Sequence, residues 1–519
     1  MDNVLILPIL IPFIAAGLCL AFRNSLLWQR VFAGAAAHGL LLVTIHLLFS
    51  VRADGLLVLR VGEWPLTYGI VLVGDLMSCL LMVASALTQV AVFWYIVTGA
   101  AKADRERALF HPLFLLMTAG VNWAFITGDL FNLFVSFELM LISSYVLVTH
   151  GGGTAQLREG FKYLVLNVVA GTLFLIGAGF TYGVFGTLNM ADLAIKIQSY
   201  ENTGVVVALG SVFLLVFGFK AALFPIFFWL PDTYPRIPGG VLPYFAGVLT
   251  KVGVYCLYRT FTLMFRIEID DWFQPVLLAI AGSTMIIGVL GALCQWTFRS
   301  ILSFHIISQI GYMVFGLALF TELGIAAGIF YIFHQILVKS ALFMIGGAVR
   351  VNEGSDNLKR VTGLVEAYPW LAIAFLFAAF SLGGIPPLSG FYGKYALVVE
   401  GLNQGFVFYV AISLVTSLCT TYCMIKIWKY AFWGERIAGP EPLKHKNHGV
   451  IVATWGLVLM TVLVAVFSRQ IMIVSTEASK QIFDQRVYIE AVLGERGVLA
   501  FEEASAGRMT AAALLEAEE

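Results

Sequence analysis

Runs of about 20 apolar residues, the length a helix needs to cross a bilayer's hydrocarbon, recur along the whole chain. Fourteen can be placed, near 4–22, 31–50, 70–98, 109–128, 130–149, 162–185, 204–230, 240–264, 273–293, 299–318, 324–349, 368–399, 404–430 and 449–468. In lipid every backbone N–H and C=O must be bonded internally, so runs of this length specify helices rather than open sheets. The expected fold is therefore all-α: a polytopic membrane protein of about fourteen transmembrane helices. Composition agrees, with 60% hydrophobic residues, 12% charged and a mean hydropathy of +0.90. Soluble domains carry about twice that share of charge. Net charge is zero and no basic patch with interleaved aromatics occurs, which excludes nucleic-acid binding. The first run lacks a basic flank and a small-residue cleavage site, so it is expected to stay as a helix.

Basic residues test this count, because cytoplasmic connections collect Lys and Arg. Connections after odd-numbered spans hold seventeen, among them Arg23, Arg105, Arg236, Arg350 and Lys446. Those after even-numbered spans hold five: Arg52, Arg60, Lys196, Arg259 and Arg266. The asymmetry places both termini outside a cell membrane of the bacterial inner-membrane type. Residues 469–519 hold five more basic residues and turn acidic at Glu502, Glu503, Glu516, Glu518 and Glu519. That segment is expected to be a solvated tail, with docking to a partner as the alternative.

Four basic residues remain, Lys220, Lys251, Lys339 and Lys394, and all fall inside spans. A cation at the centre of a span costs about 3 kcal/mol or more, which makes each a functional candidate. Lys220 precedes Pro225, and Lys394 follows Pro386 and Pro387. A proline inside a helix frees a backbone carbonyl, tolerated at membrane depth only beside protein or a water-filled cavity. Interrupted helices in corresponding places of two halves point to inverted repeats, with sites at the breaks. The repeats are expected over 109–264 (spans four to eight) and 273–430 (spans nine to thirteen). They would be flanked by 1–108, by the last span 449–468 and by the tail 469–519.

Glu138, in the fifth span, is the obvious counter-charge for Lys220. Pairing would couple their protonation, because each opposes the cost of burying the other's charge. His305 and His334 lie in the tenth and eleventh spans, and histidine is the type that titrates nearest neutral pH. His334 and Lys339 are five residues apart, hence roughly 140° apart around a helix, and should face different neighbours. Asp75 and Asp129, near span ends, are expected to snorkel toward the interface or to cap helices. Cys419 and Cys423 share a helix face without further ligands at metal spacing, so neither a metal nor a redox centre is expected. No nucleotide, haem or zinc motif occurs, and no cofactor is expected.

Taken as a set, Glu138, Lys220 before Pro225, the Trp229-Leu230-Pro231-Asp232 exit, Lys251, His334 and the Gly384-Ile385-Pro386-Pro387 break with Lys394 carry a resemblance. The chain resembles the antiporter-like subunits shared by respiratory complex I, membrane-bound hydrogenases and Mrp-type cation/proton antiporters, and within them the D-type Mrp subunits. The resemblance implies a secondary transporter subunit rather than an enzyme, without a cofactor of its own, working with other subunits of a hetero-oligomeric membrane complex. It implies proton translocation coupled to sodium export. Glu138 and Lys220 would be the input pair, Lys251 the connection, His305 and His334 the central links, and Lys394 the far exchange site. Lys339 is added on burial alone. The alternative is a proton-pumping subunit of a redox-driven complex.

Overall fold

The computed structural model describes residues 2–64, 69–100, 109–266, 272–435 and 447–518, and the chain is mostly helical, at 83%. A helical hairpin, α1 (Leu7–Ala21) and α2 (Leu26–Asp54), opens the chain. An antiparallel ribbon follows, β1 (Leu57–Arg60) on β2 (Val71–Gly74), with Leu57 opposite Gly74 and Arg60 opposite Val71. The third span was expected from residue 70, but Val71-Leu72-Val73 is strand, as suits its β-branched residues. Helix α3 (Leu76–Tyr95) begins only after Asp75, whose carboxylate accepts from Ser78 N at 2.8 Å while Ser78 Oγ accepts from Asp75 N at 2.9 Å. This reciprocal cap fixes the start.

Helices α4 (Phe110–Ile126), α5 (Leu130–Thr149) and α6 (Thr154–Phe185) come next. Asp129 caps α5 through Asn132 N at 2.8 Å, and burial pushes its carboxyl up to about 6. A short α7 (Met190–Gln198), too polar for the apolar-run reading to register, precedes α8 (Thr203–Ala221). The span expected over 240–264 is one continuous helical run over 242–264 that changes between α and π winding. After α9 (Trp229–Thr233) come α10 (Leu242–Tyr244) and α11 (Thr250–Arg259), with π-helical turns at Phe245–Leu249 and Thr260–Met264. Then follow α12 (Phe273–Cys294), α13 (Phe298–Leu319), α14 (Glu322–Glu353), α15 (Leu364–Ala367), α16 (Pro369–Gly383), α17 (Ser389–Asn403), α18 (Val407–Ile427) and α19 (His448–Val466).

Among the described residues, eleven helices are long and apolar enough to cross a membrane; α4 and α16 are shorter but apolar. Helix α14, with 32 residues and so about 48 Å long at ~1.5 Å per residue, is the axis of the bundle. Its most apolar stretch is wholly buried, whereas α1, α2 and α6 turn most of theirs outward.

The basic residues sort to two ends. At one, Asn447 bridges α3 and α14, donating from Nδ2 to Thr98 O (2.9 Å) and from N to Asn352 Oδ1 (2.7 Å), while Lys426 Nζ donates to Leu293 O and Gln295 O at 2.8 Å. At the other lie Arg52, Arg60 and Arg266. Of the residues behind the charge asymmetry, Lys102, Arg105, Arg107, Arg436, Lys444 and Lys446 lie outside the described residues.

The expected solvated tail is instead folded back on the body. It forms α20 (Ser468–Phe483), α21 (Gln485–Leu493) and α22 (Glu495–Glu518). Ser475, Ala478, Ser479, Ile482, Tyr488 and Ile489 are buried. Helix ends always leave orphan backbone groups, and the tail satisfies several. Gln481 Oε1 accepts from Leu76 N (3.1 Å), Ser479 Oγ donates to Glu322 O (2.8 Å), and Gln485 Nε2 donates to Leu263 O (2.6 Å). Arg52 pairs with Glu477 through two bonds of 2.9 Å. The tail's charge had concealed its spaced apolar residues.

Helix α11 meets α8 at Gly253, where a Cβ would stand 2.6 Å from Ala221 N. Overpacking costs about 1–3 kcal/mol or more. Gly253→Leu is expected to lower the thermal unfolding midpoint of the purified protein, whereas Gly17→Leu, with open space around it, leaves it unchanged. Equal midpoints for the two variants would contradict this packing.

Candidate functional site

Helix α8 ends one residue after Lys220. Ala222 takes the left-handed conformation (φ 61°), Leu223 N bonds to Gly218 O at 2.8 Å, and the chain passes through a cis Phe224–Pro225 peptide. The second break repeats this closing turn: Gly384 has φ 83°, Ile385 N bonds to Phe380 O at 3.1 Å, and Pro386–Pro387 is cis. The Pro225 break opens on the surface, with Pro225 and Phe228 exposed, while Lys220 turns inward. Polar groups freed at the breaks are met by side chains. Trp229 Nε1 donates to Phe219 O (3.1 Å), and Thr284 Oγ1 from α12 accepts from Phe224 N (3.1 Å).

The two lysines stand on opposite sides of their breaks. Lys220 precedes the first, and its Nζ donates to Asn167 Oδ1 (3.3 Å) and Asn167 O (3.4 Å) of α6, above the Phe137 ring at 5.8 Å. Lys394 follows the second, and its Nζ reaches back to Leu382 O and Gly383 O (both 3.1 Å) and to Ser417 Oγ (3.0 Å), with the Tyr312 ring at 5.0 Å. There the ammonium caps the C-terminus of α16, where carbonyls and helix dipole favour a cation.

Glu138 reaches the same interface as Lys220 without touching it. Among the described residues no ion pair within 4 Å joins them, although Glu138 is the charge that acts on Lys220 electrostatically. Its carboxylate occupies the notch at Gly171, where a Cβ would stand 2.7 Å from Oε1. Gly171 lies one turn beyond Asn167, so α6 meets the carboxylate and the lysine at positions one turn apart.

Lys251 follows the first π-helical turn of that span, and its Nζ donates to Ala246 O at 2.7 Å. Helix α14 packs on that turn, with Ser340 Oγ donating to Pro243 O at 2.8 Å. This brings Lys339 alongside. Its Nζ is buried without a hydrogen-bond partner among the described residues, and its electrostatic neighbours include Lys251 and Lys394. His305 on α13 is buried, and among the described residues neither of its ring nitrogens has a hydrogen-bond partner. His334 faces the second break, Nδ1 to Ser389 Oγ at 2.9 Å, with Ser389 Oγ 2.8 Å from Ser381 Oγ. His334 and Lys339 thus face different neighbours. The whole arrangement is a row of buried basic groups running from α8 through α11 and α14 to α17. Lysine and histidine side chains both exist with and without a proton.

Sequence reasoning missed the residues that hold the basic groups: Asn167, Ser389, Ser417 and Tyr312. Asn167 alone carried a usable signal, an amide inside an apolar span. The buried pair of Asp75 and Arg259 was also missed, because each was assigned separately to a span end.

Residues 127–420 match the family model described as NADH:quinone oxidoreductase/Mrp antiporter, TM. The D-type Na(+)/H(+) antiporter subunit of Alkalihalophilus pseudofirmus is 44% identical over 95% of this chain and 100% of its own length. That of Bacillus subtilis is 38% identical over the same shares, 95% and 100%. A chain in the structure of the Mrp complex from Dietzia sp. superposes with a TM-score of 0.88 at 31% identity, covering 95% of this chain and 100% of that one. An archaeal membrane-bound sulfane sulfur reductase shares the fold, with a TM-score of 0.87 at 23% identity over 95% of this chain and 100% of that chain. The chain therefore belongs to the family of NADH:quinone oxidoreductase/Mrp antiporter membrane subunits, where it stands beside the D-type subunits of Na+/H+ antiporters.

Proposed function

We propose that the chain is the proton-translocating subunit of a multi-subunit Mrp-type Na+/H+ antiporter in a bacterial cell membrane. Protons move through the series Glu138, Lys220, Lys251, Lys339, His305, His334 and Lys394. Fourteen spans carry the series, in two inverted repeats over 109–264 and 273–430, each interrupted beside its lysine, with both termini outside. The observation that supports this most is that Lys251, Lys339 and Lys394 are buried with no carboxylate within ion-pair distance among the described residues. A static structural role would pair such charges, because an unpaired buried charge costs several kcal/mol. Neighbouring ammonium groups in a dry interior oppose one another, so a proton arriving at one favours departure from the next.

Glu138 sets the state of Lys220, which Asn167 holds one turn away on α6, and that pair loads the row. Lys394, bonded to the carbonyls of the second break, unloads it. One charge crossing 100 mV is worth about 2.3 kcal/mol, the equivalent of roughly 1.7 pKa units. An ordinary membrane potential is therefore enough to drive such transfers.

In proteoliposomes, the purified complex is expected to exchange sodium for protons with no electron donor; exchange that appears only when a donor is supplied would assign the chain to a redox-driven pump. Glu138→Ala and Lys220→Ala are each expected to abolish exchange while the complex still assembles. Wild-type rates in either would refute the series, and loss of assembly would make the pair structural. Asn167→Leu removes a hydrogen bond to a charged group and is expected to slow exchange about tenfold or more. An unchanged rate would remove Asn167 from the coupling.

A further inference from the structure

Among the buried charged groups that the series does not use, one cluster adjoins the lysine row. On α11, Lys251, Tyr255 and Arg259 recur every four residues and so lie along one face, a stripe about 12 Å long leading from the lysine row toward the end covered by the tail. Tyr255 and Arg259 are bonded to each other, and Lys251 stands two turns before Arg259 on the same face. Tyr255 Oη donates to Phe125 O at 2.6 Å, and Arg259 Nη2 donates to Tyr255 Oη at 3.3 Å. The Arg259 guanidinium lies between two aromatic rings, 5.6 Å from Tyr255 and 5.3 Å from Tyr488 of α21, and it also pairs with Asp75. Asp75 serves both contacts at once: Oδ1 caps α3 through Ser78 N and Oδ2 takes Arg259. Arg259, Asp75 and Tyr488 are all buried.

We infer that Arg259 is an electrostatic plug that closes the outward end of the first repeat, held across the Lys251–Tyr255 face by Asp75 and by Tyr488 of the C-terminal helices. The inference rests on the proton-series reading and deepens it. A fixed guanidinium in a narrow polar path repels protons and cations. A proton reaching Lys251 then has no outward exit in its own repeat and passes to Lys339 and the second repeat. The tail acquires a role as well. Gln485, one turn before Tyr488, is anchored to Leu263 O at 2.6 Å, and the Tyr488 hydroxyl packs at Gly128, where a Cβ would stand 3.1 Å away. Asp129 is the other carboxylate that acts on Tyr488. The tail therefore positions the aromatic wall of the plug from outside the bundle.

The test is passive proton leak through the purified complex in sodium-free proteoliposomes, driven by an imposed potassium diffusion potential and read with an internal pH dye. Arg259→Gln and Tyr488→Ala are each expected to raise the leak at least about fivefold with the complex assembled. Adding Lys251→Ala to Arg259→Gln is expected to return the leak to the wild-type level. Proton-tight Arg259→Gln and Tyr488→Ala complexes would overturn the plug, as would a leak that survives Lys251→Ala. If Arg259→Gln does not assemble, Tyr488→Ala decides alone, because it removes only the outer ring and leaves Asp75 and Arg259 in place. The leak needs neither sodium nor Glu138, so its outcome is independent of whether Glu138→Ala and Lys220→Ala stop exchange.

Discussion

A bilayer offers no water to an unpaired backbone group, and every departure from continuous helix in this chain has to be met from within. The two breaks are where that constraint bears hardest. At the first, an indole takes the carbonyl of Phe219 and a threonine hydroxyl the N–H of Phe224; at the second, an ammonium takes the carbonyls of Leu382 and Gly383. The structural need and the proposed chemistry therefore meet in Lys394. Its bonds stabilise a broken helix end, and they hold the proposed proton carrier where backbone and serine hydroxyl accept from it. Lys220 does not do this for its own break. It points away, to Asn167, so the first break positions the lysine without being capped by it.

The rest follows from α14, the buried axis to which both halves attach. Lys339 and His334 sit on it at different angles, one turned toward the Lys251 side and the other toward Ser389. The π-helical turn at Phe245–Leu249 and the close contact at Gly253 bring this span against both α8 and α14. Small residues do this work because only they let helix backbones approach so closely.

Much of this was legible in the sequence because hydrocarbon punishes charge so heavily that a lysine in an apolar run is already a signal. Lys220, Lys251, Lys339 and Lys394 were found that way, and Pro225 and Pro386-Pro387 marked the breaks. Capping was one of the two roles read for Asp75 and Asp129, and both cap helices. What stayed hidden depended on three-dimensional neighbours. Nothing local says that Asn167 rather than Glu138 contacts Lys220, or that Asp75 also holds Arg259 from 184 positions away. The β1–β2 ribbon and α7 are too short for a window of about 20 residues. The C-terminal helices were misread because their charge outweighed the spaced apolar residues, Ile482, Tyr488, Ile489 and Val492, that dock them.

The central claim is that buried lysines change protonation during transport. Infrared difference spectroscopy on complex carrying heavy-nitrogen-labelled lysine, triggered by sodium addition, reads this directly. The account predicts ammonium bands that shift with the isotope in the wild type and vanish when Lys251, Lys339 and Lys394 are replaced by methionine. A sodium-induced spectrum with no isotope-sensitive lysine band, in a complex that is transporting, would contradict it.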